Sequence, residues 1–178
     1  MPKLRKDLWI WGGFLPAFVV IIDQLSKYWA IAKFKAPQNI CAINPHPNLK
    51  INEFTPLFDL ALVCNRGVSF GLFSNSPETA RIVFTIFAAV MCVVLWVWMN
   101  KEKDKLLSFS LAMIIGGAIG NAIDRARFGA VTDFIDFSDM GFHWVFNVAD
   151  SAINVGVAGL IISMILQGRA EKKAAKSP

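Results

Sequence analysis

The sequence predicts a mainly α-helical membrane protein with four transmembrane helices and a small β-sheet element outside the membrane. Hydrophobic residues make up 55% of the 178 residues and charged residues only 17%, whereas charged residues make up about 25% of a typical soluble domain. A soluble domain of this size cannot bury so much apolar surface, because small domains leave a large share of their surface in water. We therefore expect residues 1–178 to form a single integral membrane domain.

Four apolar runs supply the spans, each close to the roughly 20 residues that cross a bilayer as a helix. The first run is too long for the apolar part of a secretory signal peptide, and no convincing cleavage site follows it. It contains Pro16, a residue type that membrane helices tolerate. The predicted spans are residues 9–30, 81–99, 106–124 and 147–167.

Basic residues form three short clusters beside the apolar runs rather than one patch, so the net charge of +5 does not indicate a nucleic-acid partner. Four spans put both termini on one side of the membrane, together with the loop between the second and third spans. The positive-inside rule makes that side the cytoplasm. The clusters are Lys3, Arg5 and Lys6; Lys101, Lys103 and Lys105; and Arg169, Lys172, Lys173 and Lys176.

A β element is predicted over residues 49–73, between the first two spans. Large apolar residues occupy every second position from 58 to 62 and again from 68 to 72, on either side of Asn65-Arg66-Gly67. Alternation with period two around an Asn/Gly turn is typical of a β-hairpin. We expect this element on the periplasmic side, at the outer mouth of the helical bundle.

Ionisable residues inside a membrane are costly, so each one in a predicted span needs a partner or a function. A helix rises about 1.5 Å per residue, and the hydrocarbon core is about 30 Å thick. Polar residues of the first, third and fourth spans therefore all lie near one face of the bilayer, the outer one. They are Asp23 and Lys27, Asn121 and Asp124, and Asn147 and Asp150.

Helical spacing indicates how several of these side chains pair. Asp23 precedes Lys27 by four residues, the favourable order for an ion pair on a helix, and this pair is expected to give structural support. Asn121, Asp124 and Arg125 share one helix face. The spacing leaves open whether these three cap the end of the span or form part of a binding site.

Two aspartates are the candidate catalytic groups. Asp133 lies among large apolar residues just after the third span, and Asp150 lies near the outer end of the fourth. Two carboxyls held close together do not both ionise easily, so they share a proton. The ionised one can take a proton from water while the protonated one polarises a carbonyl, which is the chemistry of an aspartic protease. By itself, Asp133 is equally compatible with an ordinary loop acid.

No metal site is predicted, because the sequence has no Cys-x-x-Cys motif and its two histidines, His46 and His143, are far apart. The three cysteines do not define a disulfide framework. Their spacing leaves a Cys41–Cys64 disulfide open.

Five motifs, in this order and with four spans, resemble the lipoprotein signal peptidases (signal peptidase II), membrane-embedded aspartyl peptidases of bacteria. The match covers almost the whole chain, although each motif alone is weak. The motifs are Asp23-Gln24-Leu25-Ser26-Lys27, Asn65-Arg66-Gly67-Val68-Ser69-Phe70-Gly71, Gly116-Gly117-Ala118-Ile119-Gly120-Asn121-Ala122-Ile123-Asp124-Arg125, Val131-Thr132-Asp133-Phe134 and Phe146-Asn147-Val148-Ala149-Asp150-Ser151.

The resemblance implies an endopeptidase of the bacterial inner membrane that cleaves prolipoproteins just before a diacylglyceryl-modified cysteine. Asp133 and Asp150 match the family's catalytic pair, and Asp124 matches a supporting residue. The resemblance implies no cofactor, and it implies globomycin-type cyclic peptides as inhibitors in the same cleft. We expect a monomer surrounded by membrane lipid. The residues that match the substrate and inhibitor site are Asn65, Asn121, Arg125 and Asn147.

Two other functions stay open at the level of the sequence. Buried acids and amides also mark ion paths, so a small transporter or proton-relay subunit is one alternative. That function favours polar residues throughout the bilayer depth, whereas the inner halves of the second and third spans carry almost none. A non-catalytic assembly factor is the other alternative, and it gives no reason for both Asp133 and Asp150 to be irreplaceable.

Overall fold

Four helices are long and apolar enough to cross a membrane, as the sequence predicts. They are α1 (Leu15–Lys33), which follows a π-helical turn at Ile10–Phe14, α3 (Pro77–Lys101), α4 (Lys105–Phe128) and α5 (Val148–Ala174), and a short helix, α2 (Ile40–Ile43), lies after α1. The computed structural model describes residues 10–44, 46–47, 49–51, 55, 59–67, 77–142 and 144–174.

Helix α4 is the centre of the bundle and packs against α1, α3 and α5. Of its most apolar stretch 56% is buried inside the protein, compared with 6% for that of α3. The outward side chains of α3 are large and apolar, and Phe87 is 62% exposed. This surface suits contact with lipid, since the hydrocarbon core favours such side chains.

Two glycines of α4 let α1 approach its backbone closely. A Cβ at Gly116 would lie 2.7 Å from the Cβ of Val19, and one at Gly120 would lie 2.6 Å from Oδ2 of Asp23. Small residues allow this kind of close helix crossing in membranes. The Gly-x-x-x-Gly spacing therefore serves helix packing, and it brings the carboxylate of Asp23 up to α4.

The end of α4 directs the chain into the sheet. Gly129 has the left-handed φ of +74°, and its N–H donates to the carbonyl of Arg125 at 3.0 Å. Glycine is the usual residue in this helix-ending conformation because it has no Cβ. Strand β3 then begins at Val131, two residues later. This turn sets the position from which Asp133 leaves the helical bundle.

Four antiparallel strands form a sheet in the order β1-β2-β3-β4. Strand β2 is the predicted first arm of a hairpin, and it pairs with β1 and β3. The predicted second arm, residues 68–72, lies outside the described residues. Strands β3 and β4 come from the segment after α4, which the predicted element over 49–73 left out. The strands are β1 (Leu49–Ile51), β2 (Asp59–Asn65), β3 (Val131–Asp136) and β4 (Val145–Phe146), with a 3-10 turn at Ser138–Met140 after β3.

A disulfide joins Cys41 of α2 to Cys64 of β2, a pairing that the spacing of the cysteines left open. Both cysteines belong to a buried cluster that includes Ile31 of α1 and Leu62 of β2. The bond therefore ties the segment after α1 to the sheet. The third cysteine, Cys92 of α3, is free.

We expect Gly120→Ala to destabilise the folded protein by about 1–3 kcal/mol, because overpacking a tight contact costs that much and the new methyl group would push against the buried carboxylate of Asp23. Thermal unfolding in detergent micelles measures the loss. Gly168→Ala in α5 is the matched control, since a Cβ there meets nothing within 4 Å. Equal melting temperatures for the two variants would contradict the packing role of Gly120.

Candidate active site

The two candidate catalytic acids come from different elements and are linked by two asparagine amides. Asp133 lies in β3 and is 2% exposed, whereas Asp150 lies in the first turn of α5, half-buried at an open cleft. Nδ2 of Asn147 donates to Oδ1 of Asp133 at 2.5 Å and to Oδ1 of Asn121 at 3.3 Å. Nδ2 of Asn121 donates to Oδ1 of Asp150 at 2.9 Å. A continuous chain of hydrogen bonds therefore connects the two acids.

Asn147 holds Asp150 through the geometry of a helix start. It immediately precedes α5, and its Oδ1 accepts from the backbone N–H of Asp150 at 2.8 Å. In return, Oδ2 of Asp150 accepts from the backbone N–H of Asn147 at 3.3 Å. This reciprocal pattern is a capping box, which satisfies two backbone donors at the helix N-terminus. The Asn-x-x-Asp spacing therefore both starts α5 and orients one of the acids.

Asn65, the last residue of β2, holds the other acid. Its Nδ2 donates to Oδ2 of Asp133 at 3.0 Å, and its Oδ1 accepts from the backbone N–H of Gly67 at 2.8 Å. Both oxygens of Asp133 thus accept an amide hydrogen bond, one from Asn65 and one from Asn147. The register of β2 on β3, with Asn65 opposite Val131, brings the amide into range.

Behind the two acids, Lys27 is buried between two further carboxylates. Its Nζ lies 2.9 Å from Oδ2 of Asp23, 3.1 Å from Oδ2 of Asp124 and 3.2 Å from Oδ1 of Asn121. The Asp23–Lys27 spacing predicts the first of these pairs, but not the second. Nε2 of Gln24 donates to Asp23 at 3.1 Å and to Asp124 at 3.0 Å. A buried charge is stable only when it is paired and hydrogen-bonded in this way.

The same two carboxylates anchor the backbones that carry the candidate catalytic acids. Oδ1 of Asp23 accepts from the N–H of Ala149, one residue before Asp150, at 2.9 Å. Oδ2 of Asp124 accepts from the N–H of Thr132, one residue before Asp133, at 3.0 Å. Among the described residues, no group of three His, Cys, Asp or Glu side chains is arranged to hold a metal ion. Asp23 and Asp124 therefore fix the backbone at Ala149 and Thr132.

Burial, and after it the neighbouring charge of Asp150, raise the pKa of Asp133 to about 7. The amides of Asn65 and Asn147 and the charge of Lys27 act against this rise, because they stabilise the carboxylate. A carboxyl with a pKa near 7 holds its proton for part of the time at neutral pH. Asp133 can therefore act as an acid where an ordinary aspartate cannot.

Arg125 is the cationic side chain whose surroundings best suit ligand binding. Its guanidinium lies over the ring of Phe84, with Cζ 5.6 Å from the ring centroid. The guanidinium also interacts electrostatically with the carboxylates of Asp133, Asp150 and Asp124. Its Nε is buried and has no hydrogen-bond partner among the described residues. A buried donor without a partner costs free energy, so this N–H is suited to donate a hydrogen bond to a bound ligand.

The open cleft beside Asp150 has a volume of about 300 Å³. Sequence reasoning missed two of its apolar walls, Phe146 of β4 and Ile153 of α5. The signal for Ile153 was its position three residues after Asp150, on the same helix face. Gln24 was also missed as a partner of Asp23 and Asp124, although a polar residue inside a span is itself a signal. The lining residues include Asn65, Trp144, Phe146, Asp150, Ile153 and Asn154.

Residues 15–166 match the family described as signal peptidase (SPase) II. The chain belongs to this family. Among curated relatives, the lipoprotein signal peptidase of a strain of Rhodopseudomonas palustris is 39% identical over 160 residues, which is 86% of this chain and 92% of the relative. That of Shewanella halifaxensis is 36% identical over 176 residues, 97% of this chain and 96% of the relative. The protein is thus a membrane peptidase, and nothing in these matches favours a transporter.

Two solved structures share the fold. One, described as a bacterial membrane enzyme solved by the in meso method at 2.3 Å resolution, has a TM-score of 0.69 and 26% identity, and the match covers 92% of this chain and 90% of that one. Another, described in the same way at 1.9 Å resolution, has a TM-score of 0.66 and 28% identity over 85% of this chain and 90% of that one. The four-helix architecture with its small sheet is therefore that of known membrane enzymes.

We expect Lys27→Met to destabilise the protein by about 3–5 kcal/mol, because removing one partner of a buried ion pair leaves uncompensated charge, here on Asp23 and Asp124. Chemical or thermal unfolding in micelles measures the effect. Lys33→Met on the same helix is the control, since Lys33 is exposed and its charge only lies over the ring of Trp29. A Lys27→Met protein as stable as the control would show that the buried cluster is not held by this cation.

Proposed function

We propose that this peptidase is an aspartic endopeptidase that removes the signal peptide from diacylglyceryl-modified prolipoproteins just before the lipidated cysteine. The hydrogen-bonded chain from Asp133 through Asn147 and Asn121 to Asp150 carries the proposal. It links two carboxyls of unequal environment, Asp150 lining the open cleft and Asp133 buried, which is the requirement for dividing acid and base roles between them.

Asp150 is the general base and Asp133 is the general acid in this proposal. Asp150 is half-buried and lines the open cleft, so a water molecule can reach it. Asp133 is almost fully buried, and its pKa of about 7 keeps it protonated for part of the time at neutral pH. Asn121 and Asn147 donate to the acids, so we assign them to orienting the pair rather than to contacting the substrate along its length.

The reaction then proceeds by attack of water on the scissile carbonyl carbon. Asp150 takes a proton from the water as its oxygen bonds to that carbon, and Asp133 gives its proton to the carbonyl oxygen. The tetrahedral intermediate collapses when the amide nitrogen receives the proton held by Asp150 and the C–N bond breaks. Asp133 recovers a proton from the collapsing hydroxyl, so both acids return to their starting states.

The substrate assignment rests on the relatives, which are named lipoprotein signal peptidases, and on the character of the cleft. The cleft is open, and its walls include Trp144, Phe146 and Ile153, a lining that suits the apolar stretch of a signal peptide. Arg125 is assigned to substrate carbonyls or the glyceride head, and Asn65 to the edge of the same site. We also assign globomycin-type cyclic peptides to this cleft, and we propose that the enzyme works as a monomer among membrane lipids.

We place the active site at the outer face of the bacterial inner membrane, with both termini in the cytoplasm. The basic clusters at the two ends of the chain and between α3 and α4 support this orientation. The Cys41–Cys64 disulfide gives independent support. Disulfides persist in the periplasm and are rare in the cytoplasm, and this one lies in the segment that the orientation assigns to the periplasmic side.

We expect Asp133→Asn and Asp150→Asn each to lower the cleavage rate by about 10²–10⁴-fold, because each removes one partner of the acid–base pair. The assay is cleavage of a purified diacylglyceryl prolipoprotein by the full chain in micelles, with inhibition by globomycin as a check on the site. Asp136→Asn is the matched control on the same strand, since that carboxylate pairs with Lys50 instead. Full activity in either of the first two variants would refute the assignment.

We expect kcat/KM to fall as the pH rises through about 7, because Asp133 must keep its proton to polarise the carbonyl. Its pKa is raised by burial and by the charge of Asp150, so deprotonation occurs far above the usual range of an aspartate. Initial rates across the pH range measure this limb, and the Asp136→Asn control keeps it. A rate that stays constant well above neutral pH would contradict the role of Asp133. The charged groups that face Asp133 are Asp150 on α5, Lys27 on α1 and Arg125 on α4.

A further inference from the structure

The Cys41–Cys64 disulfide lies directly beside the strand positions that form the active site. Cys64 is the residue before Asn65, and Cys64 pairs with Thr132, the residue before Asp133, in the register of β2 and β3. Sγ of Cys41 lies 3.7 Å from Oγ1 of Thr132. The cross-link therefore contacts β2 and β3 at the positions just before Asn65 and Asp133, whose side chains hydrogen-bond to each other.

Strand geometry separates the two faces of β2 at this point. Successive side chains of a strand point to opposite faces, so Cys64 turns into the buried cluster with Ile31 and Leu62 while Asn65 turns to Asp133. The disulfide holds the side chain of Cys64 on one face of the strand. It therefore also restrains the backbone from which Asn65 projects on the other face. The disulfide thus limits how far Asn65 can move away from Asp133.

The last three residues of β2, Val63 to Asn65, pair with β3, and an irregularity between Leu60 and Val63 separates them from the rest of the ladder. β3 itself is held from the opposite side, because Asp124 accepts from the N–H of Thr132. The disulfide supplies on β2 the restraint that Asp124 supplies on β3.

We propose that the Cys41–Cys64 disulfide is a positioning element of the active site, which keeps the Asn65 amide on Oδ2 of Asp133. This inference rests on the proposed function, in which Asp133 is the acid. With the cross-link open, the end of β2 moves and Asp133 loses one of its two amide donors. The chemical step slows, while the cleft that binds the substrate keeps its other walls.

The test compares the full-length protein with its disulfide intact and after reduction by a phosphine, with the thiol count confirmed by mass spectrometry. We expect kcat on a diacylglyceryl prolipoprotein to fall about tenfold, the size of effect expected from losing one hydrogen bond, while KM changes less than twofold. We expect the alkaline limb of the pH profile to move to higher pH, because the Asn65 hydrogen bond lowers the pKa of Asp133. Unchanged kcat in the reduced protein would overturn the proposal.

Two variants separate positioning from a purely structural role. In Asn65→Ala, reduction should cause no further loss of kcat, because the disulfide acts through the amide that this variant lacks. An equal further loss in Asn65→Ala would show that the bond only stabilises the fold. Cys92→Ala should respond to reduction in the same way as the unmodified protein, since Cys92 is free. If this variant no longer responded, the effect of reduction would depend on Cys92 and not on the disulfide.

Failure of the proposed function gives a different result from failure of this inference. If the chain were not an aspartic peptidase of this kind, the oxidised protein would not cleave the prolipoprotein, or Asp133→Asn would still cleave it. If only the inference were wrong, the oxidised protein would be active, Asp133→Asn would be inactive, and reduction would leave kcat unchanged.

Discussion

The central constraint on this fold is the placement of four carboxyl side chains, three of them buried, at one end of a membrane helix bundle. Asp23, Asp124, Asp133 and Asp150 are joined through hydrogen bonds and one buried lysine. Charges in such a setting are tolerated only with complete pairing. Lys27 compensates two of the acids, and the amides of three asparagines hold the other two. Burial and the neighbouring charge of Asp150 raise the pKa of Asp133 to about 7, against the opposing effects of Asn65, Asn147 and Lys27.

The polar network also does the work of assembling the bundle. Asp23 of α1 fixes the start of α5, and Asp124 of α4 fixes the start of β3. The packing of α1 on α4 depends on the small residues Gly116 and Gly120. Through the two supporting acids, this packing also positions the two segments that carry the candidate catalytic acids. Helix packing and active-site geometry are therefore coupled through these two carboxylates. A change at the helix crossing is thus felt at the acids.

Local patterns in the sequence were sufficient for the helices and for part of the site. Apolar run lengths predict the four spans, and the depth of Asp23, Lys27 and Asn121 in those spans predicts that they converge. The spacing of Asp23 and Lys27 predicts their ion pair, which lies at 2.9 Å. These features depend on residues close in sequence or on the fixed rise of a helix, so one sequence contains the information needed.

Pairings between distant segments were not accessible in the same way. The partner of β2 is β3, some 70 residues away, and the side chains that contact the two buried acids Asp133 and Asp136 depend on that register. The sequence places both acids among apolar residues, but only the sheet turns Asp136 to Lys50. The Cys41–Cys64 disulfide and the contact of Lys27 with Asp124 likewise join segments whose distance no spacing rule gives.

The most direct test of the account is to observe the proton on Asp133 itself. Infrared difference spectroscopy of the protein in lipid bilayers, with Asp133→Asn as the reference, isolates the carboxyl band of this residue. We predict a protonated Asp133 carboxyl below neutral pH that ionises at a pH of about 7. A carboxylate that stays ionised throughout the pH range in which the protein cleaves its substrate would contradict it.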